Sequence, residues 1–164
     1  MDGNLLILGA GQYGCVAKET AQAMSCFGKI DFLDDNNPVA LGKMDTLSQR
    51  LSEYDCVFVA MGNPVLRLRF LKEAEQLGFC LATLVHPSAV VMPSAKLSGG
   101  VIIEAQAVIN SNTAVGTGCI VSAGAVVNHD CYLAEGCHVD CNATVPARSQ
   151  MPAHTKVPCG TVYA

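Results

Sequence analysis

An α/β domain followed by an all-β parallel β-helix of about four coils is the fold class this sequence predicts, and three observations predict it. A strand, a glycine turn and a helix open the chain. An unbroken six-residue recurrence fills its second half. The composition fits both: 164 residues, 51% apolar but only 5% aromatic and without tryptophan, require an interior of small and branched side chains. Charged residues are scarce at 15%, which argues against a disordered or coiled-coil chain. The formal charge of −4 with no basic run leaves no clustered positive surface for a nucleic-acid backbone, and nucleic acid is excluded as a partner.

Residues 1–85 read as alternating strands and helices. Asn4 to Leu8 is an apolar strand that ends in Gly9-Ala10-Gly11-Gln12-Tyr13-Gly14. Val16, Thr20, Ala23, Met24 and Phe27 then fall at helical spacing, with Gly28 placed as the helix C-cap. Ile30 to Leu33 is a second strand, closed by Asp34-Asp35-Asn36-Asn37-Pro38. Cys56 to Met61 is a third, stopped by Gly62-Asn63-Pro64, and Arg67 to Leu77 is a helix with Gly78 after it. Strands separated by helices make a parallel sheet, so this is a small Rossmann-like domain.

Residues 86–164 follow another rule. An aliphatic residue or methionine occurs at Val91, Leu97, Ile103, Ile109, Val115, Val121, Val127, Leu133, Val139, Val145, Met151 and Val157, every sixth position without a break. Four places after each stands a small residue, among them Ala107, Cys119, Ala125 and Ala143. Neither 3.6 nor 2 generates this period; a β-helix does, with short strands meeting at corners and stacking coil upon coil. Three hexads per coil give about four coils. The aliphatic and small residues point inward, each aliphatic contributing about 2 kcal/mol of transfer energy. Ile102, Val108, Ile120 and Val126 stand one place earlier and are expected to face outward as an apolar row for a partner to cover. Pro146, Pro152 and Pro158 follow an aliphatic at turn positions, where they stiffen the corners.

The apolar run Leu5 to Leu8 is too short for a signal peptide or a membrane span, and Asp2 stands where a positive n-region would be, so a cytoplasmic protein is expected. Nine cysteines, an odd number without an export signal, read as reduced thiols used mostly as small apolar core residues. His129, His138 and His154 lack metal-ligand spacing, so no metal is expected. The glycine turn places backbone N–H groups against a pyrophosphate, and Asp34 lies twenty residues beyond Gly14, where an acid can meet a ribose hydroxyl. Alone this suggests NAD, but the short sheet has no room for the second half of a dinucleotide site.

The whole combination resembles a family. A Rossmann-like domain, then His86-Pro87-Ser88-Ala89, then hexad coils containing Asn128-His129-Asp130-Cys131, is similar to the sugar O/N-acetyltransferases of the sialic acid O-acetyltransferase type. Within that group it resembles the enzymes that N-acetylate UDP-4-amino-4,6-dideoxy sugars. The likeness spans nearly the whole chain. It implies a left-handed prism, a homotrimer with active sites between neighbouring subunits, acetyl-CoA as donor and a nucleotide-sugar acceptor.

The resemblance also assigns residues. His129, two places after Val127 at a corner, becomes the general base; histidine suits that role because imidazole in general titrates near about 6.5. Asp130 would orient the imidazole as an acid does in a triad. His138, on an outward wall position, would lie near the acetyl group. Ala147 stands where relatives carry glycine and would offer its N–H to the thioester oxygen. Gly9, Gly11, Tyr13, Gly14, Asp34 and Asp35 become contacts to the nucleotide sugar, completed by Gly62, Asn63 and Arg67. The expected function is N-acetylation of a UDP-4-amino-4,6-dideoxy sugar. Two alternatives stay open: a sugar O-acetyltransferase of the sialic acid type, and a nucleotide-sugar binder that has lost donor binding with its C-terminal coils.

Overall fold

The computed structural model describes residues 3–164 and divides into two compact units, one reaching Ala82 and the other beginning at Thr83. The first unit runs β1 (Gly3–Leu8), α1 (Gln12–Met24), β2 (Phe27–Leu33), a 3-10 helix (Met44–Arg50), β3 (Cys56–Val59), α2 (Pro64–Leu77) and β4 (Cys80–Leu81). The sheet has the order β2-β1-β3-β4 with every pairing parallel. Leu5 to Leu8 are completely buried, as a central parallel strand demands of a continuous apolar run.

Two glycines fix how the first helix leaves the sheet. Gly9 has φ +104, and a Cβ there would press within 3.0 Å of the Ala60 carbonyl oxygen. A Cβ on Gly14 would collide with the Gly9 carbonyl, so the first turn of α1 sits tight against the strand end. The buried face of α1 is Gly14, Ala17, Thr20 and Ala21, all small, which allows close helix–sheet packing. This corrects the expected face: Val16 and Ala23 are exposed. Gly28 is not the helix cap either. Ser25 takes the left-handed turn at φ 53, which lets Phe27 and Gly28 join β2 beside Gly3. At α2 the opposite holds: Pro64 opens the helix, Asn63 caps it and Gly78 (φ 102) ends it. β4, two residues long, is too short to show a periodicity, and the 3-10 helix lies in a stretch without one.

The second unit is a left-handed parallel β-helix. Its first wall stacks the two-residue strands Leu84–Val85, Ile102–Ile103, Ile120–Val121, His138–Val139 and Lys156–Val157. The second stacks Val90–Val91, Val108–Ile109, Val126–Val127 and Thr144–Val145, and the third Lys96–Leu97, Ala114–Val115, Tyr132–Leu133 and Gln150–Met151. Partners in register stand eighteen residues apart, as Ile102↔Ile120↔His138 shows. The repeat also begins one hexad earlier than Val91, at Val85. The aliphatics and small residues from Val101 to Val145 form one buried core.

Two local devices complete the coils. The third residue after each aliphatic, at eleven successive corners from Gly100 to Gly160, has φ between 54 and 73. Glycine, Asn112, Asp130 and Asn142 suit that left-handed conformation; Gln106, Arg148 and His154 adopt it at some cost. The inward cysteines do more than fill space. The thiols of Cys119, Cys131 and Cys137 donate to the carbonyls of Ala134, Pro146 and Pro152, as the Thr113 hydroxyl donates to Asn128. At the last corners Ser149, Thr155 and Thr161 return their hydroxyls to Pro146, Pro152 and Pro158 at 2.6–2.7 Å.

The expected apolar row is half absent from the surface. Ile102 and Ile120 are 0% and 1% exposed in the single chain, covered by its own atoms, whereas Val108 and Val126 are partly exposed. No helix among the described residues is long and apolar enough to cross a membrane.

Candidate active site

The corner between the second and third walls carries a paired histidine and aspartate. His129 and Asp130 form its two-residue turn, with side chains 44% and 45% exposed. His129 Nδ1 meets Asp130 Oδ2 at 2.7 Å, leaving Nε2 as the outward nitrogen. The Asn128 side-chain oxygen accepts the His129 backbone N–H at 2.8 Å and fixes the entry to the turn. Asp130 is held below the ordinary carboxylate range, first by the hydrogen bond from His129 and then by the Asn112 amide. An ionised carboxylate on Nδ1 keeps the imidazole proton on that side, so Nε2 presents a lone pair to a reactant. Ala147 occupies the equivalent place one coil further, since Thr144–Val145 pairs with Val126–Val127.

His138 lies on the first wall, so a single chain does not bring it to His129. Its Nε2 is 3.2 Å from the Ser122 hydroxyl and 3.8 Å from Asp140 Oδ1. Asp140 pairs with Lys156 at 3.0 Å. Ser122 in turn reaches Glu104 at 3.5 Å, and the other Glu104 oxygen accepts the Ala123 N–H at 3.0 Å. Sequence reasoning passed over Glu104, Ser122 and Asn112. The signal for Glu104 was present: it is the one charged residue between Leu97 and Asn128.

In the Rossmann-like unit the residues expected to meet a nucleotide sugar separate into open and engaged groups. The Asp34 carboxylate already accepts three backbone N–H groups, from Ala10 at 2.8 Å, Asn36 at 2.9 Å and Asn37 at 3.0 Å. These bonds, that of Ala10 foremost, hold its pKa below the ordinary value against the opposing effect of burial. Asn37 donates to the Ala10 carbonyl at 2.6 Å, so both polar groups of Ala10 are tied to the loop after β2. Asp35 accepts the Met44 N–H, and Asn63 caps α2 through Leu66 N. Arg67 is 1% exposed and donates to the carbonyls of Met61 and Gly62. Its guanidinium braces the strand-end turn from beneath. Tyr13 is half-buried in the first turn of α1.

Gly11 remains open. A Cβ there would meet nothing within 4 Å, and no side chain caps α1. The positive end of the helix dipole there favours an anion. A cavity of about 400 Å³ lies beside it, lined by Gly11, Asp34, Asn36, Asn37 and Pro38. A second, of about 610 Å³, is lined by Asp35, Lys43, Arg69, Phe70 and Glu73 among others. No group of three or more His, Cys, Asp or Glu that could hold a metal occurs among the described residues.

Comparison with known proteins places this geometry. The PglD N-terminal domain family matches residues 4–74. The acetyltransferase domain of PglB from Neisseria gonorrhoeae is 32% identical, with a TM-score of 0.93 over 97% of this chain and 81% of that one. Its complex with acetyl coenzyme A matches equally well, over 99% and 82%. A mutant GDP-perosamine N-acetyl transferase from Caulobacter crescentus, in complex with CoA and GDP-perosamine, is 29% identical with a TM-score of 0.84 over 99% and 89%. Matched over nearly its full length by such enzymes, the protein is an acyltransferase, and the chain belongs to the sugar N- and O-acetyltransferase family.

Proposed function

We propose that the protein transfers the acetyl group of acetyl-CoA to the amine of a UDP-4-amino-4,6-dideoxy sugar, with His129 as general base. The observation that carries this reading is the 2.7 Å contact between His129 Nδ1 and Asp130. It fixes the tautomer in which Nε2 can take the amine proton as nitrogen attacks the thioester carbonyl. Asp130 stabilises the imidazolium that results. The C–N bond forms, the C–S bond breaks, and His129 returns its proton to the departing sulfur. Acetyl-CoA supplies the activated acyl carbon; the protein supplies position and proton transfer.

The likeness to an acetyl-CoA complex and to an N-acetyl transferase bound to a nucleotide amino sugar supports donor and acceptor classes. On the acceptor side, the open Gly11 corner and the α1 N–H groups suit a pyrophosphate. The separation of His129 and His138 onto different walls supports assembly as a trimer, in which a second copy brings the other histidine to the groove.

The test is a calorimetric titration with acetyl-CoA, followed by turnover with UDP- and GDP-linked amino sugars and their hydroxyl counterparts. Micromolar donor binding, with turnover of the UDP amine lowered about 10²–10⁴-fold in His129→Ala, is the expected result. No heat at millimolar acetyl-CoA overturns the transferase reading. Turnover of hydroxyl acceptors alone makes it an O-acetyltransferase.

A further inference from the structure

Asp130 does not stand alone at its corner. Residues eighteen apart occupy equivalent places on successive coils, so Ser94, Asn112, Asp130 and Arg148 form one column. Asn112 and Asp130 share the left-handed turn conformation at φ 58, and Arg148 follows at φ 63. Below, the Ser94 hydroxyl accepts the Asn112 N–H at 3.0 Å. The Asp130 N–H donates to Ser111 at 2.9 Å, and the Arg148 N–H to His129 at 3.0 Å. The side chains connect as well: Asn112 Nδ2 donates to Asp130 Oδ1 at 3.2 Å, while Oδ2 is taken by His129.

We infer that Asn112 is a positioning residue for acetyl transfer: its amide holds Oδ1 so that Oδ2 of the same carboxylate stays on His129 Nδ1. The inference rests on the reading of His129 as base and extends it one coil. The chemistry of the side chains gives the arrangement a direction. An ionised carboxylate only accepts, so the shared proton belongs to the Asn112 amide, and the carboxylate plane is fixed at both oxygens. Asp130 is half-exposed and would otherwise rotate into solvent. The groups that face it are His129 on its own turn, Asn112 below and the Arg148 charge above. Among the described residues, only Asn112 hydrogen-bonds the oxygen that His129 leaves free. The left-handed backbone explains the residue type: asparagine tolerates that conformation and carries a donor of the right reach.

The backbone also supplies the clean variant. Asn112→Gly keeps the turn conformation and removes only the amide. The expected result is kcat lowered roughly fivefold, a small share of the general-base effect, with KM for donor and acceptor unchanged and the melting temperature retained. Asn112→Asp places a like charge against Asp130 and lowers kcat further. On an Asp130→Asn background, Asn112→Gly has no additional effect, because both act through one carboxylate. Wild-type kcat in Asn112→Gly or in Asn112→Asp overturns the inference, and so does an undiminished loss on the Asp130→Asn background. If His129→Ala retains full kcat, the base reading itself falls. If His129→Ala is inactive while Asn112→Gly is unaffected, only the role of Asn112 falls.

Discussion

The two units use polar side chains in opposite ways. In the Rossmann-like unit the residues that look most like ligand contacts are turned inward onto the backbone. Asp34 ties the glycine turn to the following loop, Asn63 caps a helix, and Arg67 lies buried beneath the end of β3. In the β-helix the hexad places core residues and turn residues at fixed positions, so the corners are free to carry chemistry. His129 and Asp130 bond to each other there and remain half-exposed. A motif in an irregular loop must first build the loop, whereas a motif on a repeat inherits its scaffold from the neighbouring coils.

The largest expected effect tests this contrast directly. His129→Ala lowers kcat by about two to four orders of magnitude without changing the melting temperature, as measured by steady-state kinetics beside calorimetry. Arg67→Ala should do the reverse in its own unit. Losing the guanidinium leaves two strand-end carbonyls without their donor and costs about 3 kcal/mol of stability, read by denaturant unfolding. A stable Arg67→Ala protein that has lost acceptor binding would break the contrast.

Asp34→Ala sharpens it at smaller scale. Losing a side chain that caps three backbone N–H groups costs about 1–2 kcal/mol. The folded pKa lies below the ordinary 3.8, so the stabilisation is complete above that value and disappears as pH falls through the folded pKa. Melting curves of wild type and variant should therefore differ fully at pH 7 and begin to converge only as pH falls below the ordinary 3.8. A difference that stays constant until the acid unfolds both proteins would assign the effect to packing instead.

The smallest effect concerns thiols. Burial, with Cys80 next in weight, pushes the Cys56 thiol up to about 11. Alkylation of the native protein should mark the exposed Cys15, Cys80 and Cys159 and leave Cys56, Cys119, Cys131 and Cys137 unmodified until unfolding, as peptide mass spectrometry would show. Native labelling of Cys131 would mean that the coils open readily.

How much of this was legible in the sequence follows from the same contrast. The coils could be read almost residue by residue, because a period of six repeated twelve times leaves no other architecture. The corner placement of His129 followed from counting forward from Val127. In the first unit the order of strands and helices was legible, but the boundaries were not. Gly28 resembled a helix end while Ser25 was the end, because Gly28 is needed in the strand beside Gly3. What escaped altogether were contacts between residues eighteen apart, such as Asn112 with Asp130 or Ser122 with Glu104, which only the closed coil brings together. Likewise Ile102 and Ile120 are buried at positions that the hexad pattern sends outward, and no local pattern records that.

The register of the walls makes length itself a discrete variable in this protein. Adding or deleting eighteen residues in the coils returns every column to its place, so Asp130 would still find an amide beneath it wherever the lower coil supplies one. A change of six also satisfies the core, since every hexad carries an aliphatic residue and a small one. It would, however, turn all later residues by one wall and move the histidine corner to a different edge of the prism. Such a variant would fold well and fail at its reaction, which separates the arithmetic of stability from that of function within one repeat.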